Sequence, residues 1–132
     1  MTRLTDDVST AVSETVRLTI PAALEFVRIA RLTASGVASR VGFDVEEIED
    51  LRVAVDELSS ILVDAAGAEQ LELAFTPNGD GIEIEGRTRV DQDATPAVDE
   101  LTRQILAAVV DEYGVENEAG EARFRCVKRL SN

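Results

Sequence analysis

Apolar residues change their spacing several times along the chain, and each change marks an element. Val16, Leu18 and Ile20 alternate with polar residues, the period of a half-buried strand. Pro21 stops that strand and suits the first turn of a helix, so strand is expected to pass directly into helix. From Ala22 to about Val41, the residues Ala23, Phe26, Val27, Ala30, Ala34, Val37 and Val41 recur at three- and four-residue steps. Gly42 follows as the stop, and Ser35 and Gly36 weaken the helix at its middle. The next start is the best marked in the sequence. Asp44 can cap, Glu47 completes a capping box three residues on, and Phe43 and Ile48 take the two positions of a hydrophobic staple. A second helix from Val45 buries Ile48, Leu51, Val55, Leu58 and Leu62; Ala54, Ile61 and Ala65 widen the stripe, and Gly67 can close it.

Beyond that point the period returns to two. Leu71, Leu73 and Phe75 alternate, Thr76 to Gly81 form a turn cluster, and Ile82 and Ile84 resume the alternation toward Val90, which reads as a β-hairpin. Asp91 to Ala94 is a polar loop. Thr95 can cap a third helix with Pro96 at its first position, and Val98, Leu101, Ile105, Ala108 and Val109 carry that helix to an end near Tyr113 and Gly114. A short strand, Val115 to Asn117, and a longer one, Ala122 to Leu130, flank a turn at Glu118 to Glu121 in which Gly120 can take a positive φ. The order β, α, α, β, β, α, β, β predicts an α+β fold, a two-layer sandwich with three helices on one face of a mixed, mostly antiparallel sheet. Residues 1–14 are polar and are expected to be a flexible N-terminal segment, with 15–132 forming a single domain.

Composition narrows the chemistry. A chain of 132 residues buries about two thirds of its unfolded surface, so it needs no metal or disulfide to hold it. Its net charge of -13 repels phosphate backbones and anionic lipids, which argues against direct contact with nucleic acid or membrane. Histidine is absent, which removes Ser-His-Asp and Cys-His catalysis, an internal histidine phosphorelay and any His-containing metal site. Cys126 is the one cysteine; alternating with Phe124, it reads as a small core residue, and a disulfide-free chain suits the cytoplasm. No apolar run approaches the roughly 20 residues of a membrane span.

The second helix carries the constellation of most interest. At about 100° per residue, Asp50, Glu57, Ile61 and Asp64 fall along the margin of its buried stripe, where a carboxylate such as Glu57 could act as a general base. Spacing alone favours the plainer reading, one more solvated acid on a helix already rich in acids. The stretch Asp50-Leu51-Arg52-Val53-Ala54-Val55-Asp56-Glu57-Leu58, set after Phe26-Val27-Arg28 and Val41-Gly42-Phe43, resembles the nucleotide-binding helix of bacterial anti-sigma-factor serine kinases of the GHKL ATPase superfamily. The order of elements resembles that family from about Val16 to Leu130, and Val110 to Glu118 resembles its last helix leading into the closing strands. The resemblance implies that Glu57 holds the place of the general base and that Arg28 holds the place of a partner-contacting arginine.

It also implies a degenerate nucleotide site. Four residues after the base, where the family places a magnesium-binding Asn, this chain has Ile61, which offers a hard cation no oxygen. The family's adenine-reading Asp and the Gly after it correspond to Thr88 and Val90, or in an earlier register to Ile84 and Gly86, and neither choice supplies an acid. From Thr88 to Glu100 there is no glycine for a phosphate lid, and the matching helix opens with Glu100-Leu101-Thr102, whose acid repels ATP. The expectation is therefore an anti-sigma-factor-like regulatory module, with no cofactor or metal, that binds a sigma factor, an anti-anti-sigma protein or both; a homodimer is left open. The alternative is an active Mg-ATP-dependent serine kinase with Glu57 as base and further ligands from Asp56, Ser60 or Asp64. Gly79-Asp80-Gly81 lies between two alternating strands and reads as a hairpin turn, and Arg123, Arg125, Lys128 and Arg129 form a basic cluster on the last strand.

Overall fold

The structure, a computed structural model, describes residues 14–66, 70–91 and 96–131. Its elements are β1 (Val16–Pro21), α1 (Leu24–Val41), α2 (Val45–Ala65), β2 (Gln70–Pro77), β3 (Gly81–Arg89), α3 (Glu100–Val109), β4 (Glu112–Glu118) and β5 (Glu121–Arg129). The five strands form one sheet in the order β1-β2-β3-β5-β4. Every neighbouring pair is antiparallel, so the expected mixture of strand directions is corrected to a wholly antiparallel sheet. The three helices cover one face, with α2 between α1 and α3.

Local chemistry explains the boundaries. Gly42 ends α1 in the left-handed region at φ 107°, and its N–H bonds to the Ala38 carbonyl at 3.2 Å. The capping box at the head of α2 is complete: Glu47 N–H donates to Asp44 Oδ1 and Asp44 N–H to Glu47 Oε1, both at 2.8 Å. α1 runs through Ser35 and Gly36 without a break. Gly67, expected to close α2, lies outside the described residues, and the helix ends at the extended C-cap Ala66.

Three boundaries differ from the periodic pattern. Pro21 is the last residue of β1, opposite Gln70, rather than the first of a helix, and α1 begins at Leu24. A proline fits there because β1 is an edge strand and Pro21 is its last residue. Pro96 stands four residues before α3, which is capped by Asp99 through a 2.8 Å bond from Thr102 N–H; Thr95 lies outside the described residues. α3 ends at Val109, so Tyr113 and Gly114 belong to β4, as does nearly all of the stretch that resembles a helix leading into strands. β4 is accordingly longer than the Val115–Asn117 segment expected.

The core lies between the layers. Leu51, Leu58 and Leu62 of α2 and Leu106 of α3 are fully buried over Leu71, Phe75, Ile82, Ile84, Phe124 and Cys126 of the sheet. Burial pushes the Cys126 thiol up to about 12, which leaves it an inert core group. The opposite sheet face is polar and laced with ion pairs: Arg87 with Glu72 at 2.8 Å, Arg125 with Glu83 at 2.6 Å, Arg123 with Glu121 at 2.8 Å, and Arg129 with Glu112. Lys128 leaves the expected basic cluster. It turns to the helix side, donating from Nζ to the Val109 carbonyl at 2.9 Å.

Candidate functional site

The site implied by Glu57 lies where α2 faces α3. Glu57 is half-buried, and its Oε1 accepts a long hydrogen bond of 3.4 Å from Thr102 Oγ1 in the first turn of α3. Two turns earlier Asp50 approaches Lys128 at 3.8 Å, and Lys128 caps the far end of α3 through the Val109 carbonyl. The third helix is thus tied at both ends along one edge of α2, with Leu106 fully buried between the ties. Glu57 also faces the N-terminal end of α3, where partial positive charge favours a carboxylate.

The candidate ligands are dispersed rather than gathered round Glu57. Ile61 sits one turn beyond Glu57, half-buried and packed on the core. Asp56 lies on the other flank of α2, where its Oδ1 takes Arg31 of α1 at 2.6 Å. Ser60 is half-buried and Asp64 exposed, and neither is bonded to Glu57. Among the described residues no group of three acidic or cysteine side chains is arranged to hold a cation. Thr88 is buried with its hydroxyl committed to the Gln70 carbonyl at 2.8 Å. Gly86 does allow close approach, but what approaches is Phe124: a Cβ on Gly86 would stand 2.3 Å from that ring. The space beside Gly86 is thus filled by the core. Gly79 takes φ 89° within the β2–β3 turn, as a hairpin requires.

Arg28 occupies a different surface. It is exposed on α1 and makes no ion pair among the described residues, whereas Arg31, three residues on, is paired across to α2. Leu24 and Leu32, one turn to either side of it, are 56% and 55% exposed, and neighbouring Ile29 is 42% exposed. Arg28 is therefore the centre of an apolar strip that no part of the chain covers among the described residues. Sequence reasoning passed over Leu24, Ile29 and Leu32, although all three fall outside the periodic stripe assigned to the core, and that was the available signal.

Glu47, beyond its role in the capping box, accepts from Ser131 N at 3.0 Å and from Ser131 Oγ at 2.7 Å. These bonds, led by the one from Asp44 N–H, hold its carboxyl at about 2, well below the usual carboxylate range. The C-terminal end of the chain is pinned to the head of α2. A concavity of about 660 Å3 lies on the polar sheet face, lined by Arg17, Glu72, Glu85, Arg87, Arg123 and Arg125 among others. It is on the opposite side of the sheet from Glu57 and is a separate surface.

No protein-family model matches the chain. Among curated proteins it is similar to serine-protein kinase RsbW of Halalkalibacterium halodurans, 42% identical over 73 residues, which is 54% of this chain and 45% of that relative. Serine-protein kinase RsbW of Bacillus subtilis is 32% identical over 127 residues, covering 80% of this chain and 79% of the relative. The first match therefore spans less than half of its relative, and the second spans most of both. Among solved structures, one of the RsbU and RsbW domains of a Mycobacterium tuberculosis protein shares the fold over part of its length, at TM-score 0.71 and 20% identity, covering 89% of this chain and 33% of that one.

Proposed function

The chain belongs to the RsbW family of anti-sigma-factor serine kinases, and on that premise we propose that it is a regulatory protein-binding module that does not phosphorylate its partners. The partners are a sigma factor, an anti-anti-sigma protein or both, met through α1 around Arg28 in the cytoplasm by a single domain spanning residues 15–132. Among the described residues no helix is long and apolar enough to cross a membrane, which accords with that setting. One observation carries the loss of activity: Ile61 stands one turn from Glu57, and α3 is tied against that same edge of α2. A magnesium-bound triphosphate would need an oxygen donor at that turn and open backbone beside it.

Arg28 supports the binding role in physical terms. A lone guanidinium amid exposed leucines is poised to meet a carboxylate whose desolvation the surrounding aliphatic contacts complete. The second reading, an active kinase with Glu57 as base, is favoured by the retained acid and by the names of the relatives. Co-purification with candidate sigma factors and anti-anti-sigma proteins, followed by incubation with magnesium and γ-labelled ATP, separates the two. The proposal expects a complex, weakened at least tenfold by Arg28→Glu, and no label on the partner. Label transferred to a partner serine and abolished by Glu57→Gln would establish the kinase instead.

A further inference from the structure

Leu24, Arg28 and Leu32 recur every fourth residue and form a ridge on the solvent side of α1, with Ile29 beside it. Arg31 turns to Asp56 of α2, and Ile29 lies about 160° round the helix from it, so it faces away from α2. An apolar ridge around a guanidinium that makes no ion pair among the described residues is a surface built to be covered. Residues 1–13 lie outside the described residues, and their sequence is the complement of the ridge. Placed on a helix at about 100° per residue, Leu4, Val8, Ala11 and Val12 fall within one arc of about 100°, the stripe of an amphipathic helix. Asp7 flanks that arc beside Leu4 and Ala11, while Asp6 and Thr10 point the opposite way.

Connectivity brings segment and ridge together. With only Ala22 and Ala23 between Pro21 and Leu24, α1 doubles back over β1 and β2. Five residues of strand back from Pro21 and eleven of helix on from Leu24 each span about 17 Å, which sets Val16 below the turn of α1 that holds Leu32 and Ser35. Thr15 is held at the sheet by a 3.1 Å hydrogen bond to Thr76, so the segment departs from a fixed point. Three or four extended residues before it reach about 10–13 Å, enough to climb from the sheet to the helix layer. A helix over the rest then runs alongside α1 in register with the ridge: Leu4 beside Leu24, Asp7 and Val8 beside Arg28, and Val12 beside Leu32. Alone, so short and polar a segment does not hold a helix in water; the ridge supplies the apolar face and the charge partner that it lacks.

We propose that residues 1–13 are an intramolecular cover for the α1 ridge, folding onto it as an amphipathic helix with Leu4 and Val8 among Leu24, Ile29 and Leu32 and with Asp7 on Arg28. Being tethered, the segment meets the ridge at a high effective concentration, and the small contact area keeps the closure reversible. A partner that docks around Arg28 must first displace it. That competition rests on the function proposed above, whereas the docking of the segment does not. A cover closed about four-fifths of the time slows modification of a ridge side chain about fivefold and weakens partner binding by the same factor.

Thiol labelling of the full chain reads the cover without any partner. Ile29→Cys puts a reactive thiol on the ridge, Ala108→Cys puts a reference thiol on the exposed side of α3, and the native Cys126 is buried and does not compete. The proposal expects Leu4→Asp with Val8→Asp to speed maleimide labelling of Ile29→Cys about fivefold and to leave Ala108→Cys unchanged. Arg28→Glu should speed it as well, and Asp7→Arg added to that chain should restore the slow rate, as a direct pair requires. Equal rates with and without the N-terminal substitutions would overturn the proposal. Protection that grows with protein concentration would overturn it too, by assigning the ridge to a second copy. A captured sigma factor or anti-anti-sigma protein adds a second arm, in which Leu4→Asp with Val8→Asp is expected to lower Kd about fivefold. Faster labelling with an unchanged Kd supports the cover and removes the Arg28 surface as the partner's seat, so the two readings fail separately.

Discussion

Gly86 shows how much of this protein is decided by single contacts across the sheet. Its missing side chain is filled by the Phe124 ring of the neighbouring strand, so Gly86→Ala must displace that ring or bend β3. The expected cost is about 1–3 kcal/mol, read as a shift of the urea midpoint with an unchanged slope. The sequence contains both residues but not their meeting, because they lie on strands joined through α3 and β4 rather than by a turn. The commitment of Thr88 to the Gln70 carbonyl is hidden too, although a turn joins β2 and β3, because the pair lies 18 residues apart at the far end of the hairpin. Residue-scale features that depend on neighbours in the chain were legible: the Asp44–Glu47 box, the stop at Gly42 and the positive φ of Gly120 all stand as read. Ala119, also left-handed at φ 56°, was not foreseen, since nothing about an alanine announces that conformation.

Elements were legible where their signals were local and mistaken where two signals competed. Thr95-Pro96 is a good cap sequence, but Asp99 offers a carboxylate to Thr102 N–H, and the register that buries Leu106 starts the helix there. Tyr113 continues a helical spacing equally well, yet Val110 is extended and the chain turns at once into β4. The ties of α3 to α2 were invisible because Lys128 was counted with the strand's arginines. Lys128→Met leaves the Val109 carbonyl without its charged donor and is expected to cost about 1.5–3 kcal/mol, with faster amide exchange in the last turn of α3 than elsewhere. Glu47 sets a pH dependence. Its carboxyl is depressed from 4.5 to about 2 in the folded chain, so its contribution is full above about 4.5 and lost as pH falls through about 2. Thermal melts between those limits should fall more steeply for the parent protein than for Glu47→Gln, and equal slopes would show that the carboxylate's bonds to Asp44 and Ser131 contribute nothing.

For the whole molecule, the order of elements and the two-layer architecture followed from periodicity, while the strand directions and sheet order required the structure. Charge is distributed unevenly. The polar sheet face balances its arginines against glutamates, and the second helix carries acids along most of its exposed surface. The family was legible from Asp50 to Leu58; the departures at Ile61, Thr88 and Glu100 belong to the proposal of an inactive site. What the sequence withheld was how these residues pack: Phe124 fills the space beside Gly86, Ile61 lies on the core, and the third helix is tied along the edge of α2. The account rests on that region being unable to hold a triphosphate. Calorimetric titration of the full chain with ATP in excess magnesium tests it most directly: no heat of binding is expected up to millimolar nucleotide, and a saturable isotherm at low-micromolar affinity would contradict it.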